Sequence, residues 1–162
     1  MPSPLQTPST PIVVRRLRPD EADEACALAR AVFDRFIAPA QEEKGRRMFH
    51  RFAQPAELLQ RHTTRYTSWV AVDGPRVVGL LHIHARNHVS MLFVAPENQG
   101  HGCAGLLLHT AASGGELVFP ATVNASPNAV GFYAKVGFAP DGPMLLRNGV
   151  RFQPMRCAGP LH

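Results

Sequence analysis

The chain has 162 residues, 45% of them hydrophobic, enough for one domain with a full core and too few for two comfortable ones. No apolar run approaches the ~18 residues of a membrane span, and the N-terminus reads as neither a secretory signal nor an amphipathic presequence, so no membrane partner and a cytoplasmic location are expected. The net charge of +5 is spread without a basic run, which argues against nucleic acid and is satisfied by a polyanionic ligand, while Cys26, Cys103 and Cys157 lack the spacing of a disulfide framework or zinc ribbon.

Residues 1–11, rich in Pro, Ser and Thr, are expected to be a disordered leader to a domain over 12–157, with 158–162 as a tail. Residues 12–18 read as a first strand ended by Pro19, and Asp20 stands where it would cap a helix over 21–37. Leu28, Val32, Phe33 and Phe36 recur there at helical spacing, as a core stripe does. Pro39 breaks that helix, and 44–52 and 55–62 suggest two shorter ones. Strands follow over 67–73 and 76–84 around a Gly74-Pro75 turn, then over 88–94. A polar turn at 97–102 leads into a helix over 101–113, which Gly114-Gly115 stops. Residues 116–123 read as a strand weakened by Pro120, and Ser126 or Pro127 opens the helix that carries Tyr133. Residues 144–147 and 150–155 form a closing hairpin around Asn148-Gly149.

The chain's organising stretch is 91–108, a strand, a tight turn and a helix. Such a turn aims unpaired N–H groups at one point, where the helix dipole favours negative charge, so it makes a cradle for a diphosphate. Gly100 and Gly102 allow close approach and unusual backbone angles, and Ala104 and Gly105 keep the first helical turn bare. Glycine content alone equally suits a plain steric connection. The pattern is not GxGxxG, and no Gly-Lys-Ser/Thr follows, which argues against a dinucleotide fold and a P-loop.

Gln99-x-x-Gly102-x-Ala104, after a strand ending Phe93-Val94-x-Pro96, resembles the acyl-CoA pyrophosphate signature of the GNAT superfamily of N-acetyltransferases. A second block, from Val123-Asn124-Ala125-Ser126 through Phe132-Tyr133-Ala134-Lys135 to Gly137-Phe138, is similar to the C-terminal motif of that superfamily. The two blocks stand in the family's order, one helix and one strand apart.

The resemblance implies an α+β (α/β/α) fold, a mixed and mostly antiparallel central sheet with splayed strands and helices on both faces. It implies acetyl-CoA as cosubstrate and a small-molecule or peptide amine as acceptor, with a homodimer through the closing strands. The diphosphate would lie on Gln99, Gly100, His101, Gly102, Cys103 and Ala104, and the pantetheine arm on the backbone of Leu92, Phe93 and Val94. Asn124, Ser126 and Asn128 would hold the arm or the thioester, although Asn128 equally suits a helix cap. Cys103 reads as a packing residue rather than a nucleophile.

Tyr133 is implied as the acid that protonates the leaving thiolate. Counting back from Gln99 by the spacing of histone-acetylating relatives reaches His88 as base, with His84 second and an ordered water as the alternative. Phe33, Phe36, Ile37, Phe49 and Phe52 would line the acceptor pocket, or are ordinary core. Two other readings stay open. His82-x-His84-x-x-x-His88 has the strand spacing for a metal site, in a metal-binding module or hydrolase. The chain also suits an acyl-CoA-binding module without transfer activity.

Overall fold

The computed structural model describes residues 11–162, so all but the last residue of the expected leader lies outside the described residues. Strand β1 (Val13–Arg16) leads to helix α1 (Ala22–Phe36), and α2 (Glu43–Phe52) and α3 (Pro55–Arg61) precede the main sheet. Strands β2 (Tyr66–Asp73), β3 (Arg76–His84) and β4 (His88–Val94) form an antiparallel meander. Helix α4 (Cys103–Ser113), β5 (Ala121–Ala125) and α5 (Val130–Val136) follow, then β6 (Ala139–Pro140), β7 (Leu145–Arg147) and β8 (Val150–Cys157). The sheet runs β1-β2-β3-β4-β5-β8-β6, with β7 also on β8, and the β4–β5 pair alone is parallel among the described strands.

Strand alternation divides the core into two layers. Trp69, Ala71, Leu81 and Ile83 face α4 and α5, packing against Leu107, Leu108, Ala111 and Tyr133. Val70, Val72 and Leu80 face the other way, onto Ala25, Ala29, Val32 and Phe33 of α1 and Leu58 of α3. The expected α+β architecture with helices on both faces is the one observed. Among the described residues no helix is long and apolar enough to cross a membrane.

Some boundaries differ from the sequence expectation. Glu21, not Asp20, is the N-cap of α1, after a single 3-10 turn at Pro19–Glu21. Its carboxylate is taken by Arg15, at 2.8 and 2.7 Å, and by the Arg18 N–H at 2.9 Å. The strand expected over 116–123 starts only at Ala121. Pro120 has no N–H to give to a ladder, and Val118 N–H turns to the Arg86 carbonyl at 2.7 Å. Residues 158–162 lie against the fold, with Leu161 on the α4-side core and His162 N–H donating to Val136 O at 2.9 Å.

Two irregularities shape the middle of the sheet. On β4, Met91 faces His82 and Val89 faces Ile83, so Ser90 is an extra residue, a β-bulge. The bulge turns Met91 and Phe93 to the α1 side although Val89, two residues earlier, faces α4. Beyond it β4 leaves β5, for the parallel pairing covers only His88 with Thr122 and Val89 with Val123.

The β7–β8 hairpin is fastened to α2 by glycine-to-glycine contact. Glu42 N–H donates to Gly149 O at 3.0 Å, and the Gln41 amide bonds both backbone groups of Arg151, at 2.5 and 3.2 Å. A Cβ on Gly45 would run into the Gly149 carbonyl. In an open helix Gly45→Ala gains roughly 1 kcal/mol; here it is expected to cost about 1–3 kcal/mol instead, because backbone must move. Chemical denaturation of the variant measures the sign.

Candidate active site

Downstream of β4 the chain makes one 3-10 turn at Pro96–Asn98 and then two left-handed glycines, Gly100 at φ 78° and Gly102 at φ 81°. Those angles need glycine. The Gln99 side chain closes the turn by donating from Nε2 to Val94 O at 2.9 Å. Helix α4 starts at Cys103, and its first bond runs from Leu106 N–H to Gly102 O, so the N–H groups of Cys103, Ala104 and Gly105 open the helix without an intrahelical partner. A Cβ built on Gly100, Gly102 or Gly105 meets nothing within 4 Å. The turn therefore fronts open space with bare N–H groups, as an anion cradle must.

That space continues into the gap between β4 and β5. Ala95 N–H donates to Val78 O at 2.8 Å, and strand alternation then directs Phe93 and Met91 toward β3. The backbone groups of Leu92 and Val94 point into the gap. Phe93, expected to offer its backbone to the pantetheine arm, instead has that backbone turned to β3 and lines the gap by its side chain.

Two cavities of about 480 Å³ each open on this gap. One runs along the glycine turn, the other lies between α2 and the β7–β8 hairpin, and they meet at Ile37, Leu92, Phe93, Ser126, Ala129 and Tyr133. Tyr133 is 5% exposed and wedged edge-on between Phe132 and Phe138, at 5.1 and 5.4 Å between centroids. Burial pushes its phenol well above the usual value, so it stays protonated. Ser126 Oγ donates to Asn128 Oδ1 at 2.8 Å, which fixes the turn into α5.

The model of the acetyltransferase (GNAT) domain matches residues 23–158. The chain belongs to the GNAT acetyltransferase family. Its fold is also that of a GCN5-related N-acetyltransferase from Rhodopseudomonas palustris, with TM-score 0.76, 20% identity, and 94% of this chain and 99% of that one covered. The PaiA N-acetyltransferase of Thermoplasma acidophilum, solved in complex with coenzyme A, gives TM-score 0.76 at 17% identity over 92% of this chain and 99% of that one. A GNAT family acetyltransferase from Brucella melitensis, solved in complex with acetyl-CoA, gives 0.63 at 18% over 94% and 92%. No curated protein matches the chain.

Within this GNAT fold most of the expected site residues converge. Leu92, Phe93, Val94, Gln99, Gly100 and Gly102 line the turn-side cavity, as do Cys103, Ala104, Ser126 and Asn128. His101 is exposed and lines neither cavity, because it sits between the two left-handed glycines, away from the gap. Asn124 lines the second cavity instead of the first. Cys103 is buried, and burial pushes its thiol up, which disfavours the reactive thiolate. Of the expected acceptor-side residues, Phe33 and Phe49 line the second cavity, Ile37 both, and Phe36 only the first.

His88, the expected base, lies away from both cavities. It stands at the closed end of the gap, where β4 and β5 still pair, lines neither cavity, and has Nδ1 2.7 Å from Thr122 Oγ1. His84 stacks on Tyr66 at 4.5 Å. Among the described residues no Asp, Glu or His lines either cavity.

The metal reading of the histidine triplet also fails on geometry. His82 is fully buried with both ring nitrogens occupied, Nδ1 2.7 Å from Ser68 Oγ and Nε2 accepting from Arg61 Nε at 3.0 Å. Ser68 Oγ is in turn 2.7 Å from His62 Nε2. Spacing along β3 told of a shared face but not of these partners. Residues that sequence reasoning missed are Ser90, whose bulge opens the gap, and Gln41 and Arg147 at the second cavity.

Burial, helped by the Arg61 charge, pushes His82 down to about 3. In the unfolded chain it takes a proton near pH ~6.5, so the unfolded state binds more protons below that and acid destabilises the fold. This group is expected to remove about 1.4 kcal/mol of stability per pH unit below roughly pH 6. Denaturant titrations across that range check it, and the slope should flatten by about one proton in His82→Gln.

Proposed function

We propose that the chain moves an acetyl group from acetyl-CoA directly to a primary amine, with Tyr133 as general acid. The carrying observation is the position of Tyr133, a buried neutral phenol where the two cavities meet. Acetyl-CoA supplies an acetyl group already activated as a thioester. The complexes of the Thermoplasma and Brucella proteins with coenzyme A and acetyl-CoA support this choice of cosubstrate.

The chain's own residues fit the cosubstrate part by part. The N–H groups from Gly102 onward face the diphosphate, and the helix dipole of α4 adds to them. Leu92 and Val94 offer the pantetheine amides an open strand edge. As the C–N bond forms and the C–S bond breaks, Tyr133 gives its proton to the departing sulfur and recovers through water the one that the attacking nitrogen sheds, so neither thiolate nor phenolate is left in an apolar cavity. The acceptor comes through the second cavity and reaches the gap across Ser126 and Ala129.

A side-chain base is absent from this reading, since no Asp, Glu or His lines either cavity among the described residues. The amine therefore enters neutral or loses its proton to water. Two outcomes follow. Tyr133→Phe should lower kcat by about 10²-fold, the lower end for general acid catalysis, with coenzyme A affinity by calorimetry changed less than about twofold. The pH profile of kcat/KM should climb with the acceptor's own amine and show no descending limb below about pH 10, the ordinary phenol value. An ascending limb that vanishes in His88→Gln, lying below the ordinary imidazole value because burial lowers this histidine, would restore it as base.

A further inference from the structure

We infer that the acceptor is a small amine with an apolar or aromatic body and a carboxylate, and that Arg147 binds that carboxylate. The inference rests on the acetyl-transfer reading of the same site and goes on to name its substrate class.

The second cavity is walled by phenylalanines. Phe33, Phe49, Phe52, Phe93 and Phe152 line it together with Met48. Phe33 stacks on Phe49 at 4.0 Å between centroids, and Phe49 leans on Phe93 at 5.5 Å. Such walls recognise flat or branched apolar groups.

Charge sets a second condition. Among the described residues the ionisable ones lining this cavity are Tyr133, which is neutral, and Arg147 and Arg151. A polyamine or a basic peptide would bring further positive charge to a wall that has, among the described residues, no carboxylate and two guanidinium-bearing residues. A ligand anion instead meets a complementary field.

Hairpin geometry chooses between the two arginines. Arg147 pairs with Val150, so it shares a face with Val150 and, two residues on, Phe152, both of which line the cavity. Arg151 pairs with Leu146 on the opposite face, where Leu146 is 48% exposed, and its main chain is held by Gln41. The ion pairs among the described residues are Arg15–Glu21, His50–Asp34 and Arg76–Glu97, which leaves the Arg147 guanidinium without a carboxylate partner there. Its planar fork matches a carboxylate through two parallel bonds.

Matched amines that differ by one carboxylate test this: L-phenylalanine against phenethylamine, and para-(aminomethyl)benzoate against para-methylbenzylamine, with spermidine as the cationic contrast. At least one acid should exceed its carboxylate-free twin by about 10-fold in kcat/KM, the scale of one charged hydrogen bond. In Arg147→Gln the advantage should disappear through KM with kcat retained, Arg147→Lys should recover part of it, and Arg151→Gln should keep it. Preference for spermidine or the carboxylate-free twins, or an acid preference that survives Arg147→Gln, overturns the inference. Calorimetry with the N-acetylated forms of the same pairs separates the two layers of the account. Arg147-dependent binding of the acids without any turnover contradicts acetyl transfer and leaves the ligand class standing, whereas equal binding of acids and twins contradicts the ligand class.

Discussion

One strand has to pair on one side and stay open on the other. β4 is bonded to β3 along its length, yet it touches β5 only at His88 and Val89. Beyond that point Leu92 and Val94 turn backbone groups toward the gap, and such groups away from water are costly unless paired. Gln99 takes the Val94 carbonyl. What is left unmet is a short strand edge, which an extended chain carrying its own amides completes. The Ser90 bulge makes this possible by resetting which residues face which side in the middle of a strand.

The rest of the site is arranged about that opening. At its far end stands a turn that offers an anion backbone N–H groups and a helix dipole, for among the described residues no Lys or Arg lines the turn-side cavity. At its wall α5 holds a phenol that burial keeps protonated. On the other side α2 and the β7–β8 hairpin, joined through Gly45 and Gly149, enclose an aromatic chamber that Arg147 and Arg151 also line. The two cavities differ in electrostatic character, and Tyr133 stands where they meet.

The features legible in the sequence are those whose physics is local. Gly100 and Gly102 announce left-handed angles, Gln99 and Ala104 fall at fixed distances from them, and Tyr133 follows its own short motif. The α+β order of elements also reads directly from hydrophobic period and breakers. What stayed hidden depends on register between strands. Counting back along β4 to His88 assumes an unbroken strand open to ligand throughout, and both the extra residue and the closed end of the gap defeat it. His82 and His84 do share a face, but Arg61 and Ser68 come from elsewhere in the chain to occupy His82. Arg147 carries no local signal, because its meaning comes from the hairpin docking on α2.

The central claim is that coenzyme A lies along the unpaired edge of β4. A ¹⁵N–¹H NMR titration with coenzyme A, followed by amide hydrogen exchange, tests it most directly. The account predicts saturable one-to-one binding, with the Leu92 and Val94 amides shifting strongly and gaining protection while those of Met91 and Phe93, already bonded to β3, gain little. No saturation at millimolar coenzyme A in folded protein, or saturation with Leu92 and Val94 unchanged, would contradict it.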